Sequence, residues 1–365
     1  MEDLFALTTL LVDVASESRS EAALVALIED RLRRLDHLEV TRVGDNLVAR
    51  TMRGRSTRVI LAGHTDTVPA NGNATARVDK DWLWGVGAAD MKGGLAMMLA
   101  SSEHHVDPAV DVTYVFYARE EIAASESGLG ELFQQVPELL EGDLAILGEP
   151  TDGAIEAGCQ GSIRFRLTLL GARAHMARAW MGYNAIHRLA GVLQRLSDYE
   201  PRRPVINGCQ FHEALLAVGV TGGVSGNVVP DEVELMIGHR FAPDRTVEEA
   251  EAHVRATLAP YLEESDRFEV VDVAVAAAPA VDHPIIRSAI ERHGLGVDAK
   301  LGWTDVARFA ERGIPAVNLG PGDPTLAHTA EERVHRDSIA RTWAVIDDIV
   351  STGAGTHGSD GPLRR

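Results

Sequence analysis

Cysteine is scarce here: Cys159 and Cys209 are the only two in 365 residues. Two thiols are too few for a disulfide framework or a cysteine-ligated metal site, and they read as reduced thiols of a cytoplasmic protein. Long apolar runs are lacking too. No stretch reaches the roughly 18 uninterrupted apolar residues that a membrane-spanning helix needs. The first residues, MEDLFALTTLLVDVASES, carry acids where a signal peptide would carry Lys or Arg. Positive charge is also in short supply, with 35 Lys and Arg against 54 Asp and Glu and a formal net charge of −19. So acidic a chain repels phosphate backbones and anionic lipid, so neither nucleic acid nor a membrane is an expected partner. Metal cations suit it better. No internal repeat is visible.

What is present reads as a full-sized globular protein, 45% hydrophobic, with room for two or three domains at about 150 residues each. Helical apolar spacing covers Asp3 to Val14 and Ser20 to Leu35. Strand-like segments follow at Leu38 to Val43 and Asn46 to Arg50. Three apolar runs then end on polar groups. Val59 to Ala62 leads into Gly63, His64 and Asp66; Asp111 to Tyr117 leads into Arg119, Glu120 and Glu121; Leu144 to Leu147 leads into Gly148 and Glu149. Buried parallel strands that deliver acids and histidines at their C-terminal ends are the doubly wound α/β pattern, with the site along one sheet edge.

From about Ser162 the pattern changes. Ile163 to Leu169 alternates apolar with polar, as in a strand with one exposed face. A helix at Asn184 to Leu196, strands at Leu215 to Val220 and Val233 to Phe241, a helix at Val247 to Leu262 and a strand at Phe268 to Val275 complete a β-α-β-β-α-β order. That order predicts an antiparallel sheet covered by helices. After Pro279 a helix (Pro284 to His293), a buried strand (Ile314 to Leu319), the segment GPGDPTLAH and a closing helix (Ile339 to Val350) resume the α/β character. The expected architecture is an α/β domain with a doubly wound, mostly parallel sheet, at 1–161 and 277–350. An α+β domain at 162–276 interrupts it, and 351–365 is a disordered tail.

His64, Asp66, Asp90, Glu120, Glu121, Glu149 and His328 are the residues that carry chemistry. Taken singly, each is more often structural than functional. Together, two imidazoles and several carboxylates suit zinc, cobalt or manganese. Were Asp90 to bridge, two metals could each take one His and one further carboxylate, leaving positions open for water and substrate. Glu120 and Glu121 are adjacent and can point different ways, one to metal and one to the water as a proton acceptor. Asp66, two residues after His64 on the same side of an extended segment, is expected to hydrogen-bond the second imidazole nitrogen.

The segments GHTDTVP, GVGAADMKGG, REE, GEPT and PTLAH, in this order, resemble the co-catalytic zinc aminoacylase and carboxypeptidase superfamily, within it most of all the desuccinylase branch. The resemblance implies a catalytic domain with an inserted dimerisation domain, two zinc ions per subunit, cobalt as a substitute, and an N-acyl amino acid as substrate, N-succinyl-LL-2,6-diaminopimelate. It places one zinc on His64, Asp90 and Glu149, the other on Asp90, Glu121 and His328, with Glu120 as general base. GARAHMARAWMGYNAI resembles the segment whose histidine, here His175, reaches the partner subunit's site in a homodimer and steadies an oxyanion. Asn227, Arg240, Thr304 and Arg308 fall where the family contacts substrate. An Arg fork suits a carboxylate. Related deacylases and dipeptidases share this metal set and differ in the pocket. A metal store without catalysis fits poorly with Glu120, and a two-metal phosphoesterase with so few basic residues.

Overall fold

The structure, a computed structural model, describes residues 3–354. It consists of two compact units. One holds the chain up to Ala157, Pro279–Asp298 and the chain from Arg308 onward; the other holds Gly158–Ala278 and Ala299–Ala307. Residues 299–307, assigned from sequence to the first unit, thus group with the second.

The first unit is built on an eight-stranded sheet. Its order is Leu38–Val43, Asn46–Thr51, Asp111–Tyr117, Arg58–His64, Leu144–Leu147, Ala316–Asn318, Ile155–Ala157, Val297–Ala299. The four strands from Asp111–Tyr117 to Ala316–Asn318 run parallel. The Leu38–Val43 and Asn46–Thr51 hairpin joins them antiparallel. Val59 to Ala62 and the whole of Asp111–Tyr117 are buried, because a parallel sheet is covered on both faces and its strands must be apolar throughout. Helix Lys92–His104 lies against Arg58–His64, Leu4–Val12 and Arg336–Thr352. It is buried from Lys92 to Ser102, which explains why it lacks a polar stripe.

Strand register sets the site. His64 pairs with Tyr117, and Ala62 with Leu147. The segments after these residues therefore leave the sheet at one edge, where ligands bind in open α/β folds. A separate three-stranded sheet, in the order Arg333–His335, Trp82–Trp84, Arg77–Asp79, fills what the sequence shows only as mixed residues.

The second unit is α+β. Its antiparallel sheet runs Ala214–Gly222, Glu232–Phe241, Gly161–Leu170, Arg267–Ala274. Ile163, Phe165, Leu167 and Leu169 point into a core shared with Leu189, Val192 and Leu196 of helix Ala185–Ser197 and Ala250, Val254 and Leu258 of helix Val247–Leu258. Strand period two thus meets helix spacing of three and four. Helix Val247–Leu258 starts on a Thr246–Glu249 capping box. It stops short of Leu262 because Pro260 lacks the N–H a further turn requires, and Ala259–Tyr261 is a 3-10 turn.

The closing helix spans Arg336–Thr352, with His335 as N-cap. The tail expected from Ser351 therefore begins inside a helix, and its residues 355–365 lie outside the described residues. Among the described residues no helix is long and apolar enough to cross a membrane.

Candidate metal centre

His64 closes its strand and is almost fully buried. Its Nε2 lies 3.1 Å from Asp90 Oδ1 and 4.0 Å from Glu149 Oε1. Across Asp90, the other carboxylate oxygen, Oδ2, is 3.3 Å from His328 Nε2, which in turn is 2.8 Å from Glu121 Oε1. Two ligand clusters result, His64–Asp90–Glu149 and Asp90–Glu121–His328, and in each the ligand atoms lie within 4.8 Å of one another. Asp90 belongs to both and turns one oxygen to each imidazole. Glu120 also offers an oxygen within 4.8 Å of His64 and Glu121.

The backbone brings these groups this close where side chains are missing. A Cβ on Gly94 would come within 2.3 Å of the Gly148 carbonyl. Only glycine lets the helix that follows Asp90 pack onto the loop that carries Glu149. His328 adopts a left-handed φ of 63°, uncommon for a residue with a Cβ. The Asp90–Met91 peptide is cis.

Asp66 differs from expectation. His64 Nδ1 lies 3.0 Å from the Asp66 carbonyl, whereas the Asp66 carboxylate stands 3.6 Å away, an ion-pair contact rather than a hydrogen bond. The carboxylate has better partners: the backbone N–H groups of Glu120 (2.9 Å) and Glu121 (3.1 Å) and the Ser18 hydroxyl (2.7 Å) all donate to it. It therefore fixes the backbone of the adjacent glutamates as well as flanking the histidine. Sequence reading missed a second anchor, Glu332. It is buried, and its Oε1 accepts from the N–H groups of Ala89 and Asp90 at 3.1 and 3.0 Å. Its own carbonyl accepts from Gly85 N–H (3.1 Å) at the end of the three-stranded sheet.

The electrostatics suit a cation. Burial opposes charge on His64, yet Asp66, Asp90 and Glu149 outweigh it and raise its pKa well above the usual imidazole range. Hydrogen bonds to Asp90 and Glu121 take His328 up to about 10. Burial alone would push Asp90 up, but the two imidazoles hold it far below the carboxylate range. Burial raises Glu332 to about 7. Carboxylates that hold two protons on neighbouring imidazoles can hold divalent ions in their place.

A sequence model of Peptidase family M20/M25/M40 matches residues 60–352. The chain belongs to this family. Membership implies a dinuclear metal site, and two donor clusters sharing one aspartate suit it. A Corynebacterium glutamicum protein named succinyl-diaminopimelate desuccinylase is 40% identical over 355 residues, 96% of each chain. A Mycobacterium tuberculosis protein provisionally given that name is 48% identical over 333 residues, 91% of this chain and 93% of its own. Among solved structures, an aminopeptidase PepT from Bacillus cereus superposes with a TM-score of 0.76 at 22% identity, covering 96% of this chain and 98% of its own. An M20 family metallo-carboxypeptidase from Sulfolobus solfataricus gives 0.73 at 16%, covering 96% and 99%. At such identities the likeness concerns the fold. The M20/M25/M40 chain described here is a metal-dependent amide hydrolase.

The remaining residues singled out from sequence fall on both units. Arg308, on the first unit, donates to the Ala124 carbonyl in the loop after Glu121 (3.3 Å). His175, Asn227, Arg240 and Thr304 belong to the second unit. His175 is exposed and accepts from Ala177 N–H (3.0 Å). Asn227 bonds Ser225, Arg240 is exposed at the end of its strand, and Thr304 is buried, its carbonyl near Cys159 Sγ.

Proposed function

We propose that the protein is a dinuclear zinc amidohydrolase that cleaves N-succinyl-LL-2,6-diaminopimelate to succinate and LL-2,6-diaminopimelate, serving lysine and cell-wall precursor synthesis in the cytoplasm. The observation that carries this reading is the pair of donor clusters joined by Asp90, in a chain 40% identical to a named desuccinylase over 96% of its length. His64, Asp90 and Glu149 would hold one zinc, and Asp90, Glu121 and His328 the other, with cobalt able to substitute. Bound there, such ions lower the pKa of water and polarise the scissile carbonyl.

The chain's own residues do the rest. Glu120 accepts the proton of the attacking water and returns it to the leaving amine. Asp66 holds the Glu120 and Glu121 backbone in place for this, and Glu332 does the same for Asp90. We assign substrate contacts to Asn227, Arg240, Thr304 and Arg308; a guanidinium fork suits the carboxylates of so acidic a substrate. In this reading the protein is a homodimer, and the partner's His175 steadies the oxyanion. The edge strand Ala214–Gly222 supports it, since Leu216, Val218 and Val220 are exposed on a sheet edge that no other described strand pairs.

Amine release from the succinyl substrate by zinc-loaded protein tests the proposal, beside N-acetylornithine, N-acetylmethionine and a dipeptide, with a chelator-treated control. Chelator-sensitive, selective cleavage of the succinyl amide is expected. Preference for another amide would overturn the substrate, and no cleavage with two metals bound would overturn the activity.

A further inference from the structure

We propose that the first unit carries another divalent-metal site, separate from the Asp90 clusters and formed by His104, His105 and Asp347, which takes a first-row ion of the zinc class. His104 is the last residue of helix Lys92–His104, His105 is its C-cap, and Asp347 comes from the neighbouring helix Arg336–Thr352. One ligand atom from each lies within 4.8 Å of the others. Asp347 Oδ1 is 3.1 Å from His105 Nε2 and 3.8 Å from His104 Nε2. Ligands at about 2.0–2.2 Å around a tetrahedral zinc stand about 3.4 Å apart, and the observed separations bracket that value. No residue is shared with the Asp90 clusters. The 13-residue helix, at about 1.5 Å per residue, separates the two ends by about 18 Å.

The buried partners point the same way. His105 is only 7% exposed, and its Nε2 and Asp347 Oδ1 are buried atoms without a hydrogen-bond partner among the described residues. They face each other at close range without N–H···O alignment. A third group between them would satisfy both, and a cation does so by accepting a lone pair from each. Imidazole nitrogens and a carboxylate are donors that zinc, copper and nickel prefer.

A competing explanation is that protonated histidines complement the negative end of the helix dipole. That accounts for exposed His104 but not for His105, whose burial lowers its pKa and leaves a neutral ring with a lone pair to donate. The rings of His104 and His105 meet edge-on at 4.9 Å, and Trp343 lies 6.3 Å from each. An ion here would tie the helix that follows Asp90 to the closing helix, and it would bind beside an indole reporter.

The test uses the untagged full chain and zinc alone. Bound zinc per chain is measured by equilibrium dialysis at fixed free zinc for wild type, His104→Ala and Asp347→Asn, together with amide hydrolysis. Each variant is expected to hold one zinc fewer than wild type with hydrolysis unchanged. Only the difference between proteins is read, so failure of the Asp90-cluster assignment would shift all counts alike and leave this comparison intact. Cu²⁺ titration gives a readout independent of folding losses: saturable quenching of the emission that Trp343→Phe removes is expected in wild type and not in His104→Ala. Equal zinc counts in all three proteins, or Trp343 emission indifferent to Cu²⁺, would overturn the site.

Discussion

Replacing Asp66 with Asn keeps the side chain's shape and removes its charge, so it isolates what the carboxylate does. Three donors converge on that group, the N–H of Glu120 and Glu121 and the hydroxyl of Ser18. An Asn side chain has one acceptor oxygen, so whichever way it turns its NH₂ confronts at least one N–H. Losing one hydrogen bond to a charged acceptor costs about 1.5–3 kcal/mol. A second route gives the same size. Burial would raise the Asp66 carboxyl, but the adjoining His64 imidazolium and these donors pull it from 3.8 down to about 2; a fall of that size corresponds to about 2 kcal/mol of stability. The folded value is the lower one, so the contribution is full above the unfolded value near 4 and is lost as pH falls through about 2. Urea unfolding of chelator-stripped protein, followed by Trp emission, should show Asp66→Asn weaker by about 2 kcal/mol near neutral pH, the gap narrowing on acidification toward pH 3. With metal restored, displacement of the Glu120 backbone should lower kcat by about 10–100-fold, since misplacements near 1 Å cost that much. A gap under about 0.5 kcal/mol, or one indifferent to pH, would refute the accounting.

Why the sequence revealed Asp66 but not its partners follows from the range of the contacts involved. Val59 to Ala62, Asp111 to Tyr117 and Leu144 to Leu147 could be read as parallel strands because burial on both faces leaves nothing but apolar residues there. The acids and histidines after them then stood out as a common edge. Spacing by two could put His64 and Asp66 on one side, but it could not show that the amides of Glu120 and Glu121, more than 50 residues on, would claim the carboxylate. Glu332 is harder still. It reaches Asp90 across 242 residues through a sheet of three-residue strands, too short for any period to register. In the second unit, alternation in Gly161–Leu170 and helical spacing in Ala185–Ser197 were legible for the same reason that they bury one face each. The segment Met176–Met181, a 3-10 stretch with a kink at Arg178, carries no such period.

Further outcomes follow from the same contacts. Glu120→Gln should keep the protein's metal content while lowering turnover by about 10²–10⁴-fold, the range for a lost proton acceptor; metal analysis beside steady-state kinetics checks it, and wild-type rates would remove Glu120 from the mechanism. Sedimentation should give a dimer mass at micromolar concentration, and a fully active monomer would refute the cross-subunit part played by the partner's His175. Metal loading should also release protons. Asp90 and Glu121 take His328 up to about 10, and Asp66, Asp90 and Glu149 raise His64 well above the usual imidazole range, so near pH 7 the metal-free centre is expected to carry imidazolium, and a ligating nitrogen must give its proton up. Zinc added to chelator-stripped protein in weak buffer with an indicator dye should therefore acidify the solution, and His328→Ala should release less. Zinc uptake without acidification would mean that the imidazoles are neutral beforehand, or that they are not the ligands.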